Sequence, residues 1–412
     1  VADTASTVAR AVEQAHEHEW AFVLAATARV AADLDLAEDC VQDAYAQALV
    51  HWQTQGIPRR PGAWLTTVAT RRALEHRRRA AVSQRKLPLL MPDPVDEDEA
   101  AAGVFPDDRL RLVFTCCHPA LAQEAQVALT LRLVCGLSSP EIAKAFLVKE
   151  ATMQARITRA KHKISRSRIP YRIPRLADLP ERIDGVLDVV HLVYAAGHTA
   201  KFGDELIRTD LTRRGLDLAR TVHLLLPDSG EATALLGLLV LTQARHAARV
   251  DEAGRLVLMR DQDRARWDST SIDEGLALVR DALAQPPAGR FALMAAIAAV
   301  HSEAGQWEDT DWDEILGLYD LLLARWPSPV VALNRAVALS YVDGPEAALD
   351  AIDTLAAEPA LATYPYLAAT RADLLRRTGH NQAAAAAYEE ALAFTDNAVE
   401  AEFLSTKLDE LR

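Results

Sequence analysis

Residues 139–164, SPEIAKAFLVKEATMQARITRAKHKI, constrain the fold more than any other stretch. Ile142, Ala143 and Phe146 line one face of a short helix, and Leu147 and Val148 make a turn. Met153, Ile157, Ala160 and Ile164 then recur at steps of four, three and four, the apolar stripe of a second amphipathic helix packed on the first. Its opposite face carries Gln154, Ala155, Thr158, Arg159 and His162, flanked by Arg156, Lys161 and Lys163. A slim helix with Gln and Arg on its open face suits a DNA major groove, where such side chains read base edges and Lys or Arg hold phosphates. The expected arrangement is a helix-turn-helix.

Charge separates the chain into two halves. The overall net charge of -13 argues against a nucleic-acid partner, but residues 1–175 carry a net +4 and residues 176–412 a net -17. Residues 71–86 hold seven basic side chains beside Glu75 alone, and residues 149–175 hold nine beside Glu150 alone. Solvated helix faces usually alternate in sign, so two almost purely basic segments point to two polyanion contacts. The four cysteines (Cys40, Cys116, Cys117, Cys135) are too few for a disulfide framework. Cys116-Cys117-His118 lacks a CxxC or HxxxH partner, so buried thiols are expected and no metal or other cofactor. The N-terminus has no basic start followed by an apolar run, and apolar windows such as residues 234–241 are too short for a bilayer. A cytoplasmic protein with no membrane contact is expected.

Nearly all the chain reads as helix, so the fold class is all-α. Residues 8–80 form a first helical domain. Residues 81–106, with Pro88, Pro92, Pro94, Pro106 and an acidic run at 96–99, read as a flexible linker. Residues 107–166 form a second helical domain, residues 167–180 a proline-rich hinge, and residues 181–412 a large acidic helical domain. In its last part Ala336, Ala348, Ile352 and Leu355 recur 36 residues later as Ala372, Ala384, Tyr388 and Ala391, with Gly344 and Gly379 at the turns. Small residues at helix crossings with this spacing are similar to tetratricopeptide units, whose period is about 34. Residues 254–259 are expected to be extended.

A second constellation precedes the first. LAEDCVQDAYAQAL, residues 36–49, places Val41, Ala44, Tyr45, Ala48 and Leu49 on one helix face and Glu38, Asp39, Gln42 and Asp43 on another, an acidic patch in a basic half. GIPRRPGAWL and TTVATRRALEHRRR follow, with Trp64 among arginines, an arrangement suited to unstacked bases although burial of Trp64 is the stronger expectation.

In order and content these segments resemble bacterial sigma factors of the extracytoplasmic-function type over about residues 10–166. DDRLRLVFTCCHPAL, IPYRIP, DQDRARWD and SPVVALNRAVAL also resemble a subgroup carrying a tetratricopeptide-like extension. The resemblance implies a sigma region 2 domain, a linker, a region 4 helix-turn-helix domain and a helical C-terminal domain. It assigns Glu38, Asp39, Gln42 and Asp43 to core RNA polymerase, whose beta-prime clamp and beta flap are the implied partners. It puts the loop from Gly56 to Pro61, with Ile57, Arg59 and Arg60, at a flipped base of the minus-10 element. Trp64, Arg71, Arg72, Arg77 and Arg78 follow along the melted strand. Gln154, Ala155, Thr158 and Arg159 face the minus-35 groove, while Arg156 and Lys161 touch phosphate or are satisfied within the fold. Arg71 and Glu75 depart from the Asn and Asp usual in the melting helix.

The extension either closes the front half against DNA or receives a protein or small-molecule regulator. Deleting residues 181–412 distinguishes the two, because output rises if the extension inhibits and falls if it is required. No P-loop, GxGxxG, GxSxG or HExxH pattern occurs, so no bond-making chemistry is expected. Two other classes compete. A dimeric helix-turn-helix repressor with a helical ligand sensor predicts palindromic DNA binding without polymerase. A helical enzyme or scaffold would use His191, His198, Asp204, Glu205, Asp261, Asp263 and Asp268, which are spread over unrelated segments.

Overall fold

The computed structural model describes residues 2–84, 108–146, 148–175, 177–200 and 202–412. These fall into two compact units, residues 1–192 and 193–412. The structure is helical, with a single two-residue parallel strand pair among the described residues.

The first unit opens with three helices, α1 (Ala2–Ala31), α2 (Leu34–Gln55) and α3 (Pro61–Gln84), each packed on the other two. Asp33 caps α2 by accepting from Leu36 N at 2.8 Å. Gly56 ends it with φ +82°, a left-handed backbone that favours glycine. Pro61 starts α3, so the Gly56–Pro61 loop is bounded by the residues that define it. The expected linker at 81–106 lies largely outside the described residues, and α3 extends to Gln84.

The second block comprises α4 (Asp108–Cys116), α5 (Gln123–Leu129) running into a π-turn at Thr130–Val134, α6 (Ser139–Ala145) and α7 (Glu150–Arg166). Ser138 and Glu141 form a capping box. Ser138 N donates to Glu141 Oε2 at 2.7 Å, the two side chains bond at 2.5 Å, and α6 starts there. Met153, Ile157, Ala160 and Ile164 are the buried residues of α7, and Ile142 and Ala143 are buried on α6. Leu147, expected in the turn, lies outside the described residues. After α7, Tyr171 donates to Ala25 O at 3.0 Å and Ile173 is buried, so the proline-rich stretch is anchored to the first unit. Helix α8 (Leu179–His198) follows and contains the boundary between the units.

The second unit contains α9 (Thr209–Leu225), α10 (Gly230–Ala244), α11 (Ser269–Leu283), α12 (Arg290–Glu303), α13 (Trp312–Arg325), α14 (Pro329–Val342), α15 (Pro345–Leu355), α16 (Pro365–Arg377), α17 (Asn381–Ala393) and α18 (Ala398–Asp409), largely packed in sequence order. Residues 250–258 make a short turn closed by an antiparallel bridge between Val250 and Leu256, so residues 255–258 are non-helical, while Met259, expected to be extended, starts a 3-10 turn at Met259–Asp261. Ala336, Ala348 and Ile352 lie in one buried cluster and Ala372, Tyr388 and Ala391 in another, so the 36-residue repeat marks where helices of successive hairpins meet.

The unit also fastens its first segment to its last helix. Fully buried Asn397 donates from Nδ2 to Ala200 O at 2.9 Å and Glu205 O at 3.0 Å, while its Oδ1 caps α18 by accepting from Val399 N and Glu400 N. Asn397→Ala strands the buried Ala200 carbonyl and the partly buried Glu205 carbonyl and removes the cap. We expect a loss of about 3 kcal/mol in urea unfolding of the second unit; a change below about 0.5 kcal/mol would show that this clasp contributes little.

Candidate functional site

The acidic helix and the basic helices belong to the same unit, and the contact between the two blocks determines which of their side chains remain open. On α2, Asp39, Gln42 and Asp43 are exposed. Asp43 pairs with Arg72 on α3, and Gln42 Nε2 reaches Glu38 Oε1 at 3.4 Å. Glu38 differs from its neighbours. It is 4 % exposed and lies between Arg132 of the π-turn and Lys161 of α7, whose Nζ is 2.6 Å from Glu38 Oε2 and 2.7 Å from Asp35 Oδ1. Burial alone would lower the Lys161 pKa, but Glu38 and Asp35 overcome it and hold the ammonium above its ordinary value.

This seam continues through apolar and polar contacts. Trp20 donates from Nε1 to Leu133 O at 3.1 Å, satisfying a carbonyl in the last turn of a helix that lacks an internal donor. Gly136, at φ +72°, lies against the rings of His16 and Trp20, where an added Cβ would stand 3.1 Å from both. Arg29 pairs with Asp108 at 3.0 Å. A cavity of about 460 Å³ runs beside the ion pairs, lined in part by Asp33, Asp35, Lys161, His162, Ser165 and Arg168, so one side of the seam is polar and hollow.

The open face of α7 presents Gln154, Ala155, Thr158 and Arg159, all exposed. Arg159 Nε donates to Ala155 O of its own helix at 3.2 Å. Arg156 pairs with Glu124 at 3.0 Å and Lys161 is held at the seam, so both are satisfied within the fold. Ile57, Arg59 and Arg60 are exposed in the loop before α3, and Arg71, Arg77 and Arg78 are exposed along that helix. Arg77 Nη1 donates to Val30 O at 2.9 Å. Trp64 is half-buried, stacked on His51 at 5.6 Å and edge-on to Trp52 at 5.5 Å.

The structure thus brings the loop, the arginine-rich helix and the acidic patch onto one block and the exposed Gln154, Ala155, Thr158 and Arg159 onto the other. The inter-block role of Arg132 was not anticipated. Its signal was an arginine inside the otherwise apolar run TLRLV, since a charge enclosed by core residues needs a buried partner. The partial burial of Lys161 comes from its bonds to Asp35 and Glu38, 126 and 123 residues away in the chain.

Burial pushes the Cys117 thiol up to about 12, and its Sγ lies 3.6 Å from Thr130 Oγ1. Asp263 and Asp268 cap helical turns through Ala265 N, Thr270 N and Ser271 N. Among the described residues no group of His, Cys, Asp or Glu is arranged to hold a metal ion, and no helix is long and apolar enough to cross a membrane.

Comparison with known proteins agrees with this layout. Residues 17–82 match sigma-70 region 2, and residues 111–164 match sigma-70 region 4. Residues 182–283 match a family of unknown function, DUF6596. Over 385 residues the chain is 39% identical to "Uncharacterized protein R00370" of Rhizobium meliloti (strain 1021), covering 92% of this chain and 90% of the relative.

Proposed function

We propose that this chain, which belongs to the sigma-70 family and fits its extracytoplasmic-function type with a C-terminal extension, joins core RNA polymerase through α2 and directs initiation at promoters read by α3 and α7. Regions 2 and 4 give it a sigma factor's role in promoter recognition. The observation that carries the finer reading is the division of open surfaces: an acidic patch of Asp39, Gln42 and Asp43, a basic loop and helix on the same block, and a polar groove-facing strip on α7. Two weak DNA contacts become one strong one when polymerase holds both regions at a fixed spacing. Region 4 docks on duplex while region 2 captures an unpaired base, which needs little melting energy at flexible pyrimidine–purine steps. The chain itself makes and breaks no bond.

The Glu38–Lys161 contact favours a further element of this role. It takes one residue from the polymerase-facing helix and one from the DNA-facing helix and neutralises each with the other. We read it as a latch that keeps the free factor closed and is released when region 2 seats on polymerase. The hollow, polar side of the seam supports this, because ion pairs reached by water separate at lower cost than dry ones. The C-terminal unit is read as the receiver of a protein or small-molecule regulator.

Reconstitution with core polymerase followed by run-off transcription tests the main reading. A protein that neither enters holoenzyme nor supports initiation would overturn it. Arg159→Ala is expected to weaken minus-35 discrimination by about 1–3 kcal/mol while leaving polymerase affinity unchanged. Uniform weakening across all promoter sequences would instead make Arg159 a phosphate contact.

A further inference from the structure

The arginines of residues 245–266 sit where helices end. Arg249 donates from Nη1 to His198 O, the last residue of α8, and from Nη2 to Thr199 Oγ1 at 3.1 Å. Arg264 Nη1 donates to His301 O at 2.9 Å and Ala304 O at 2.6 Å, at the end of α12. Arg266 donates to Ala247 O and to Val250 O just beyond α10. Helix C-termini carry unsatisfied carbonyls and partial negative charge, so these bonds have a structural purpose, and of Arg264 they use only Nη1.

Arg245 has no such purpose. It follows the last residue of α10, and its Cζ lies 5.8 Å from the centre of the Trp267 ring, on which Arg264 also sits at 4.4 Å. The charged groups felt by Arg245 include Arg249 and Arg264, and among the described residues no carboxylate pairs with it. Burial, then Arg249, brings its pKa down to about 10. Two further donors at the same indole lack acceptors among the described residues: Arg264 Nη2 and Nε1 of Trp267, a residue only 7 % exposed. Tyr194, His198 and His246 stack beside this group, with His198 and His246 ring centres 5.3 Å apart. His246 is pushed down to about 4 by burial and by Arg249 and Arg245, so it adds no cation of its own near neutral pH.

Arg249 is offset by Glu400, and Arg264 by Asp309 and Glu308, but the Arg245 charge has no such partner among the described residues. A buried charge beside two unpaired donors is costly unless something of opposite sign joins them. We propose that Arg245, Arg264 Nη2 and the Trp267 indole N–H form a site for the oxyanion group, phosphoryl or carboxylate, of a small ligand. Arginine suits this role because its planar fork matches such groups and stays charged. The acidic half that surrounds it, net -17 over residues 176–412, repels a nucleic acid and leaves a compact anion as the fitting partner. The proposal gives the regulator suggested above its chemistry. To that extent it rests on the earlier reading, although the site itself is tested without transcription.

The test uses the full chain. Its melting is followed with inorganic phosphate and, separately, acetate at millimolar concentrations, each against sodium chloride of equal ionic strength. Wild type is expected to gain stability with at least one oxyanion beyond the chloride control. A response to phosphate alone assigns a phosphoryl group, and one to acetate alone a carboxylate. Arg245→Met is expected to be at least as stable as wild type without anion and to lose the anion response. Trp267→Phe keeps the ring, removes the N–H, and should weaken the response about tenfold. The site is refuted if neither anion exceeds chloride, if Arg245→Met responds as wild type does, or if Arg245→Met destabilises the anion-free protein. Binding without any effect on run-off transcription would keep the site and remove its regulatory role.

Discussion

Replacing Asp39 and Asp43 together by lysine is expected to abolish co-purification with core RNA polymerase while leaving the fold intact. Both side chains are exposed on α2, and Asp43 makes only a surface pair with Arg72. Such a pair contributes under about 1 kcal/mol, so thermal or urea unfolding should move by no more than that. At an interface that selects an acidic patch, the reversal instead adds four positive charge units, and like-charge juxtaposition there costs several kcal/mol. A loss of at least about 100-fold in affinity follows. Glu38 is the wrong residue for this test, since reversing it would bury a lysine against Arg132 and Lys161 and disturb the packing of the blocks. Retention of wild-type polymerase binding by the double variant would remove the acidic patch from the account.

Lys161→Glu is the second large expected effect. It sets a carboxylate against Glu38 and Asp35 in a contact where the Glu38 side chain is only 5% exposed. Breaking a buried pair in this way costs about 3–5 kcal/mol, comparable with the stability of docking one small block on another. Hydrogen exchange should quicken at the start of α2 and along α7, while protection persists within each block. Two binding readouts then move in opposite directions. Polymerase affinity rises because the latch no longer competes for α2. Holoenzyme affinity for promoter DNA falls only modestly, since Arg159 and its neighbours are untouched. If exchange and polymerase affinity both stay at wild-type values, the Glu38–Lys161 contact is not a latch.

Much of the molecule could be read locally. The buried stripe of α7, the capping box at Ser138, the break at Gly56–Pro61 and the 36-residue recurrence of small residues each depend on positions within a few turns or one hairpin of each other. Helical periodicity encodes such features directly, because burial of one face repeats every 3.6 residues whatever lies opposite. The asymmetric distribution of charge was equally plain, and it separated the basic first half from the acidic extension.

What periodicity leaves open is which polar residues face water. Glu38 and Asp39 are neighbours in the chain with similar chemistry, yet one is buried and the other exposed. Lys161 and Lys163 differ in the same way, the first being half-buried and the second open. The partners of Glu38 lie 94 and 123 residues away, and no local pattern specifies contacts across that distance. In the extension, Arg249, Arg264 and Arg266 reach carbonyls at helix ends, and only the tertiary structure separates them from Arg245, which makes no such bond among the described residues. The sequence by itself determined the helices, their apolar faces, the order of the blocks that match regions 2 and 4 and the sign of each half. Only the tertiary structure decided which charges neutralise one another, because docking two blocks changes the desolvation of individual side chains without altering the pattern that built each helix.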